Sequence, residues 1–97
     1  MDPDLQDLTI ADVVISVAGR DAGKMFYVLE TDGIWLTLVN GKDRTIEKPK
    51  RKKHKHTKKV LRSDTRVAAK LRNGDKVLNS ELRRDLAYLS RELQSEV

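Results

Sequence analysis

Turn-forming glycines divide the first half of the chain into short strand-like segments, and this division constrains the fold more than any other feature. Residues 13–17, 25–30 and 34–39 are rich in the β-branched, aliphatic and aromatic side chains that strands favour. The dipeptides Asp32-Gly33 and Asn40-Gly41 are typical of tight hairpin turns. Consecutive strands joined by such turns predict a strongly twisted antiparallel meander.

Two more strands are predicted on either side of a cationic stretch. The segment 45–47 predicts a short fourth strand, and Pro49 then prevents further ladder pairing except at a sheet edge. A fifth strand is predicted near residues 58–61, where it would help to close a barrel. Residues 26–29 are consecutively apolar, so both faces of the sheet are expected to be covered. These segments together favour a small curled sheet or barrel.

The last third of the chain changes to a helical pattern. Ser63 is a suitable N-cap, because its hydroxyl can accept a hydrogen bond from a free amide of the first turn. Val67, Ala68 and Leu71 follow at helical spacing, and Asn73-Gly74 is expected to end the helix. The pattern therefore predicts one short helix directly after the sheet.

A second predicted helix carries a regular stripe of leucines. Asn79 is its expected N-cap, and Glu81 lies in the first turn, where a negative charge is favourable. The stripe is expected to dock on an apolar surface, because the other faces of the helix are charged. That surface is either the rest of the chain, the interpretation we favour, or a partner or second copy. The leucine stripe consists of Leu82, Leu86, Leu89 and Leu93.

Positive charge is concentrated in one stretch of the chain. The whole sequence carries a formal charge of +5, whereas residues 42–62 hold eleven Lys or Arg against Asp43 and Glu47, a local charge of +9 that leaves −4 for the remainder. A local basic patch condenses on phosphate, which makes RNA the best candidate ligand. The alternative is a solvated loop or tail with no ligand.

Several other function classes have little support in the sequence. The chain has no cysteine, which leaves no disulfide framework, thiolate metal site or cysteine nucleophile. His54 and His56 lie among lysines without nearby acidic or cysteine ligands, a poor setting for zinc. No serine stands beside a recognisable base and acid, and no phosphate-binding or dinucleotide fingerprint occurs. We therefore expect no enzyme activity, no cofactor, no metal and no small-molecule substrate.

The sequence also bears on location. No apolar run approaches the ~18 residues of a membrane span. The start of the chain, residues 1–5, is acidic where a signal peptide would be basic. A chain without disulfides also fits a reducing compartment. We therefore expect a cytoplasmic protein with no membrane partner.

Three motifs together resemble the KOW family of RNA-binding domains. Residues 18–24, AGRDAGK, form a glycine-containing turn between two predicted strands, with VLE at 28–30 and EKPKRKKHKH at 47–56. This combination is similar to large-ribosomal-subunit protein fourteen of archaea and eukaryotes, and closer still to a group of short bacterial KOW-domain RNA-binding proteins. The bacterial proteins continue with segments resembling KLRNG, here 70–74, and ELRRDL, here 81–86.

This resemblance, which covers roughly residues 11–90, implies an SH3-like β-barrel and RNA binding linked to ribosomes or translation. The expected fold class is therefore mainly β, a small SH3-like KOW barrel with C-terminal helices. The expected divisions are an N-terminal arm at 1–10, the barrel at 11–62 with a basic loop at 48–59, and a helical segment at 63–97.

The turn at 19–24 suits phosphate binding. Gly19 and Gly23 let the backbone approach a phosphate, while Arg20 offers a planar fork beside the point charge of Lys24. Asp21 is expected to fix the turn through an Asx-type bond. The alternative is a well-formed hairpin turn that contacts no ligand.

The basic run is expected to supply affinity without sequence specificity, because lysine contacts to phosphate do not read bases. Free of RNA, the segment is expected to be mobile and to order on binding. His54 and His56 stand where KOW relatives often carry leucine, and phosphate would favour their charged form. The full set of predicted RNA contacts is Arg20, Lys24, Lys42, Arg44, Lys48, Lys50, Arg51, Lys52, Lys53, His54, Lys55, His56, Lys58 and Lys59.

Aromatic side chains are few. Trp35 and Tyr27 are candidate platforms for base stacking, but both also suit the core of a small barrel, which is the interpretation we favour. Tyr88 on the last helix is expected to pack against the chain.

Three function hypotheses remain at this point. The first is a non-catalytic RNA-binding protein that docks on structured RNA, above all ribosomal RNA. The second is an interaction module of the transcription or translation machinery that contacts ribosomal or elongation-factor proteins through the leucine stripe. The third is a DNA binder without sequence preference.

Overall fold

Five short segments pair into one antiparallel sheet. The structure is a computed structural model that describes residues 7–95. The first three predicted strands are confirmed with shifts of one residue at their ends. The strands are β1 (Asp12–Ser16), β2 (Met25–Thr31), β3 (Trp35–Val39), β4 (Lys50–Lys53) and β5 (Thr57–Arg62).

The sheet has the order β4-β3-β2-β1-β5, so β4 and β5 form its two edges. Within residues 7–95 no ladder joins these edges, and the sheet is curled but open. Each strand alternates its side chains between two faces, as strand geometry requires. The fold is thus mainly β with C-terminal helices, and a curled five-stranded sheet of this kind is compatible with the barrel-like domain expected from the sequence.

The two faces of the sheet carry separate cores. The inner face, which the sheet curls around, buries an apolar cluster that also includes Leu8. The outer face is covered by the helices, where Val13, Tyr27 and Val39 form one cross-strand row. Burial on both faces explains the consecutively apolar segment of β2. The inner cluster comprises Leu8, Val14, Phe26, Val28, Leu36 and Leu38.

The basic run is not a loop. The segment expected as a loop at 48–59 contains β4, a single 3-10 turn at His54–His56, and the start of β5. The fifth strand is therefore confirmed, whereas the basic loop is a wrong prediction. Pro49 directly precedes the first residue of an edge strand, a position where proline costs no ladder hydrogen bond.

The predicted strand at 45–47 is also wrong, for a tertiary reason. The amide of Ile46 donates to Asn79 Oδ1 at 2.9 Å, and Asn79 Nδ2 donates to Glu47 Oε2 at 2.9 Å. The start of the second helix thus takes the backbone donor that a β-ladder would have used. Asn79 consequently contacts this segment instead of capping its own helix.

The first helix, α1, spans Arg66–Asn73. Its N-cap is Thr65, whose Oγ1 accepts from the Ala68 amide at 3.2 Å, so the predicted cap at Ser63 is two residues too early. The predicted end is confirmed, because Gly74 forms the left-handed C-cap with φ of 74°.

The second helix, α2, spans Asn79–Ser95. Glu81 Oε2 accepts from the Leu78 amide at 2.9 Å, which is the backward half of a capping box. The leucine stripe packs on its own chain, as favoured: Leu82, Leu86 and Leu89 are buried in the outer core. Within residues 7–95, no helix has both the length and the apolar character required to cross a membrane.

The predicted N-terminal arm lies mostly outside the described residues, which begin at residue 7. Its described part is not separate from the domain. Leu8 is buried among the inner cluster, and the carbonyl of Thr9 accepts from the Asp12 amide at 3.1 Å. This part of the chain therefore contributes to the sheet's core.

A buried polar network joins the sheet to both helices. The Tyr27 hydroxyl donates to Asp85 Oδ2 and shares a 2.8 Å hydrogen bond with Ser63 Oγ. Thr65 Oγ1 also donates to Asp85, at 2.8 Å. Burial, together with the acceptor Asp85, raises the pKa of Tyr27 to about 12. Tyr27 is fully buried, so it is a packing residue and not a stacking platform.

We predict that Tyr27→Phe lowers the free energy of unfolding by about 1–2 kcal/mol at neutral pH, since buried hydrogen bonds are lost. As pH rises from 10 to 12, the unfolded tyrosine ionises while folded Tyr27 keeps its proton, so the wild type loses this contribution. Denaturant unfolding at pH 7, 10 and 12 should show that the difference in free energy of unfolding between the wild type and Tyr27→Phe becomes smaller as pH rises. A difference in free energy of unfolding that stays constant with pH would contradict the assignment of Tyr27 as a buried donor in this network.

Candidate nucleic-acid interface

The glycine-bounded turn is anchored to the edge strand β4 through one carboxylate. Asp21 Oδ1 accepts from Ser16 Oγ at 2.7 Å and lies 3.0 Å from Lys52 Nζ, while Oδ2 lies 2.9 Å from Lys50 Nζ. Gly19 and Gly23 take positive φ values of 82° and 89°, as the turn predicts. The expected Asx-type bond of Asp21 is therefore replaced by ion pairs to a distant strand.

This anchor is largely removed from water. The side chains of Lys52 and Asp21 are only 8% and 10% exposed, and Lys52 Nζ also donates to the Ala18 carbonyl at 2.9 Å. Burial alone would raise the pKa of Asp21, but donation from Lys50, Ser16 and Lys52 holds it well below its usual range. The carboxylate is therefore ionised at neutral pH and fixes the turn against β4.

The turn also borders a cationic cleft. The cleft, about 260 Å³ in volume, brings residues of the turn together with Arg44 and Lys50, which are far away in sequence. Lys24 Nζ forms an ion pair with Asp43 Oδ2 at 2.7 Å, and both side chains are exposed. Arg20 and Arg44 are exposed, and within residues 7–95 neither has an ion pair. Their guanidinium groups are therefore available for a phosphate.

Alternation along β4 divides its four cations between the two faces. Lys50 and Lys52 pair with Leu38 and Leu36 across the ladder and point to the inner face. Arg51 and Lys53 pair with Thr37 and Trp35 and point to the outer face. The inward pair meets Asp21, whereas neither outward cation has an ion pair within residues 7–95. Only the outward pair is therefore placed to meet a large ligand.

An aromatic ring lies between the outward cations. Arg51 Cζ is 5.0 Å and Lys53 Nζ 5.6 Å from the centroid of the Trp35 ring, within cation–π range. Trp35 is 36% exposed, so it belongs to the surface and the favoured core interpretation is wrong. We call this site the outer groove. It consists of Lys53 and the residues that line the neighbouring cavity: Glu30, Thr31, Asp32, Trp35, Thr37 and Arg51.

The remainder of the basic run lies beyond β4. His54 is buried, and its Nδ1 lies 3.3 Å from the Gly33 carbonyl oxygen, so it is a packing residue. Lys59 forms an ion pair with the fully buried Asp12 at 3.4 Å. Lys55 and Lys58 are exposed, and His56 is half-buried. Residues 7–95 contain no cluster of three or more side chains that could hold a metal ion.

The predicted contact residues thus fall into three groups. Five are engaged within the fold: Lys24, Lys50, Lys52 and Lys59 in ion pairs, and buried His54. Two are half-buried, Lys53 and His56. Seven are exposed and have no ion pair within the described part of the chain: Arg20, Lys42, Arg44, Lys48, Arg51, Lys55 and Lys58.

Two aromatic assignments were missed by sequence reasoning. Trp35 was expected in the core and is exposed, while Tyr88 was expected to pack and is 48% exposed. In the sequence, only the alternation of side chains along the strand places Trp35 on the face opposite Leu36 and Leu38. The signal that could have found Trp35 is the cross-strand partner, since it faces Lys53 on an edge strand.

The sequence matches no model of a known protein family and has no significant match among curated proteins. Any functional conclusion therefore depends on the geometry of the chain itself.

We predict that Asp21→Asn lowers the free energy of unfolding by about 2–3 kcal/mol, because it leaves the buried Lys52 ammonium without a counter-charge. The pKa of Asp21 lies below its unfolded value, so this contribution is complete above about pH 4 and is lost on acidification. The variant should accordingly show a weaker dependence of stability on acid pH.

Asp43→Asn is the matched control, since Asp43 forms an ion pair of similar length with Lys24 but is exposed. Exposed pairs contribute little to stability. The free energies of unfolding of the wild type and the two variants are compared by denaturant unfolding at pH 7 and pH 3. Equal effects of the two substitutions at pH 7 would disprove the anchoring role of Asp21.

Proposed function

We propose that the chain is a non-catalytic RNA-binding protein that docks on structured RNA, ribosomal RNA above all, in the cytoplasm. The observation that carries the proposal is the pairing of Trp35 with Arg51 and Lys53 on the uncovered part of the outer face. Aromatic rings and cations placed together are the combination that contacts bases and phosphates. The proposal includes no cofactor and no small-molecule substrate.

The fold does not cancel the positive charge of the basic segment. Residues 42–62 carry +9, and within residues 7–95 the carboxylates from outside this segment that pair with its lysines are those of Asp12 and Asp21. Counting those two reduces +9 to +7. A surplus of this size on one part of a small domain is an electrostatic footprint for nucleic acid.

An alternative explanation of the cations is protection of the sheet edge. Lysines on an edge strand discourage pairing with other chains. The explanation suits β4, which is an edge. It does not require a tryptophan beside the outward cations, nor the exposed arginines Arg20 and Arg44 in the cleft that Lys50 lines. Both roles are compatible, and binding measurements distinguish them.

The leucine stripe no longer supports the second hypothesis. Its first three leucines are buried in the chain's own core, so they are unavailable to a partner. Contacts with ribosomal or elongation-factor proteins would have to use another surface. Binding to DNA instead of RNA is tested by competition with duplex DNA in the assay below.

We predict that Arg51→Glu combined with Lys53→Glu weakens binding to structured RNA by about tenfold or more near 0.1 M salt. Two phosphate contacts are lost, so the slope of log affinity against log salt should fall by about two. Fluorescence anisotropy with a labelled ribosomal RNA fragment, titrated at several salt concentrations, measures both quantities.

The control is Lys76→Glu combined with Arg91→Glu, which changes the net charge equally at exposed positions on the helical side. It should bind nearly as the wild type does. If both double variants lose affinity equally, binding reflects overall charge and not this surface. A wild-type affinity that does not respond to salt would refute the RNA proposal.

We predict that the tagged protein sediments with large ribosomal subunits at low salt and leaves them at high salt, because phosphate contacts are screened. Sucrose-gradient sedimentation of cell lysate at two salt concentrations tests this part. Sedimentation only at the top of the gradient at both salts would remove the ribosomal assignment while leaving RNA binding open.

A further inference from the structure

The outer groove contains a carboxylate that phosphate binding does not explain. Glu30 and Asp32 both line this groove of about 330 Å³, together with Trp35 and Arg51. Asp32 has a structural task, since its Oδ1 accepts from the amides of Ile34 at 3.0 Å and Trp35 at 2.7 Å. Glu30 has none, because its side chain is exposed and its carboxylate forms no hydrogen bond or ion pair within residues 7–95.

Strand register places this free carboxylate beside the aromatic ring. Glu30 is the cross-strand partner of Thr37, which is in turn the partner of Arg51. All three side chains therefore lie on the same face as Trp35. The groove thus offers a flat ring, a guanidinium plane and a carboxylate that accepts hydrogen bonds within one shallow site.

The groove does not suit a cationic ligand. The Trp35 ring already has two cations within 6 Å of its centroid, at 5.0 and 5.6 Å. A third cation would be repelled by Arg51 and Lys53. A flat, uncharged ring that stacks on tryptophan or on the arginine plane is compatible with them, and unpaired nucleobases bind proteins in this way.

The carboxylate limits which base fits. An ionised glutamate only accepts hydrogen bonds, so its partner must present N–H donors. Guanine presents two adjacent donors, N1–H and the N2 amino group, which match two carboxylate oxygens. Adenine and cytosine present one amino group beside an acceptor, and uracil presents one N–H between two carbonyls. We propose that the outer groove binds an unpaired guanine base, stacked at Trp35 and held through its Watson–Crick edge by Glu30.

This inference rests on the proposed RNA binding and gives it a base preference. The phosphates on either side of the guanine would meet Arg51 and Lys53. The general charge of the surface would then determine affinity, and Glu30 would determine which base enters the groove.

The sole tryptophan of the chain provides a direct readout. The intrinsic fluorescence of Trp35 is followed while the protein is titrated with the pentanucleotides UUGUU, UUAUU, UUCUU and UUUUU. UUGUU should quench the tryptophan with an affinity about tenfold higher than that of the other three, the discrimination expected of a two-bond contact to a base.

Glu30→Gln tests the hydrogen bonds, because the amide keeps the shape but replaces one acceptor with a donor. It should lower affinity for UUGUU by about tenfold and leave UUAUU unchanged. Glu92→Gln, at an exposed position on α2, is the control and should change neither. Both substitutions are on the surface, and denaturant unfolding checks that the fold is intact.

The outcomes separate this inference from the proposed function. Equal quenching by all four oligonucleotides, or UUGUU binding that Glu30→Gln does not change, overturns the guanine assignment. Absence of tryptophan quenching while structured RNA still binds in the anisotropy assay also overturns it and leaves RNA binding standing. Absence of binding in both assays defeats the proposed function itself.

Discussion

The orientation of the four cations of β4 depends on the buried ion pair between Asp21 and Lys52. A lysine ammonium with 8% exposure is tolerable only with a counter-charge, and Asp21 supplies it from a turn 31 positions earlier in the chain. This contact fixes which side of β4 faces inward. Because side chains alternate along a strand, it also directs Arg51 and Lys53 outward beside Trp35.

The sequence predicted the strands with visible alternation or turn signals and failed where charge concealed them. In β4, all four residues are cationic, so no period-two pattern of apolar and polar residues is visible, and the sequence alone favours a loop. Its pairing comes from the neighbour, where Leu36 faces Lys52. The opposite error at 45–47 has the same origin: only the folded chain brings Asn79 to the Ile46 amide.

The helices and the candidate site differed in predictability for a related reason. The glycine at the end of α1 and the leucine spacing of α2 are local signals, and both were predicted correctly. The roles of the aromatic residues depend on which face of the sheet the helices cover. Tyr27 and Trp35 are both on the outer face, but α2 covers only the end that holds Tyr27. No pattern within either strand encodes that difference.

The division of the cations between the two faces separates stability from binding. Pairs removed from water, such as Lys52 with Asp21, are weakly screened by salt, whereas exposed cations lose their attraction for phosphate over about one Debye length, near 10 Å at 0.1 M salt. Salt should therefore release a nucleic acid well before it loosens the turn from β4. A domain of this size can thus carry a dense positive charge, because Asp21 neutralises the buried Lys52 while exposed cations such as Arg20 and Arg51 have no ion pair within residues 7–95.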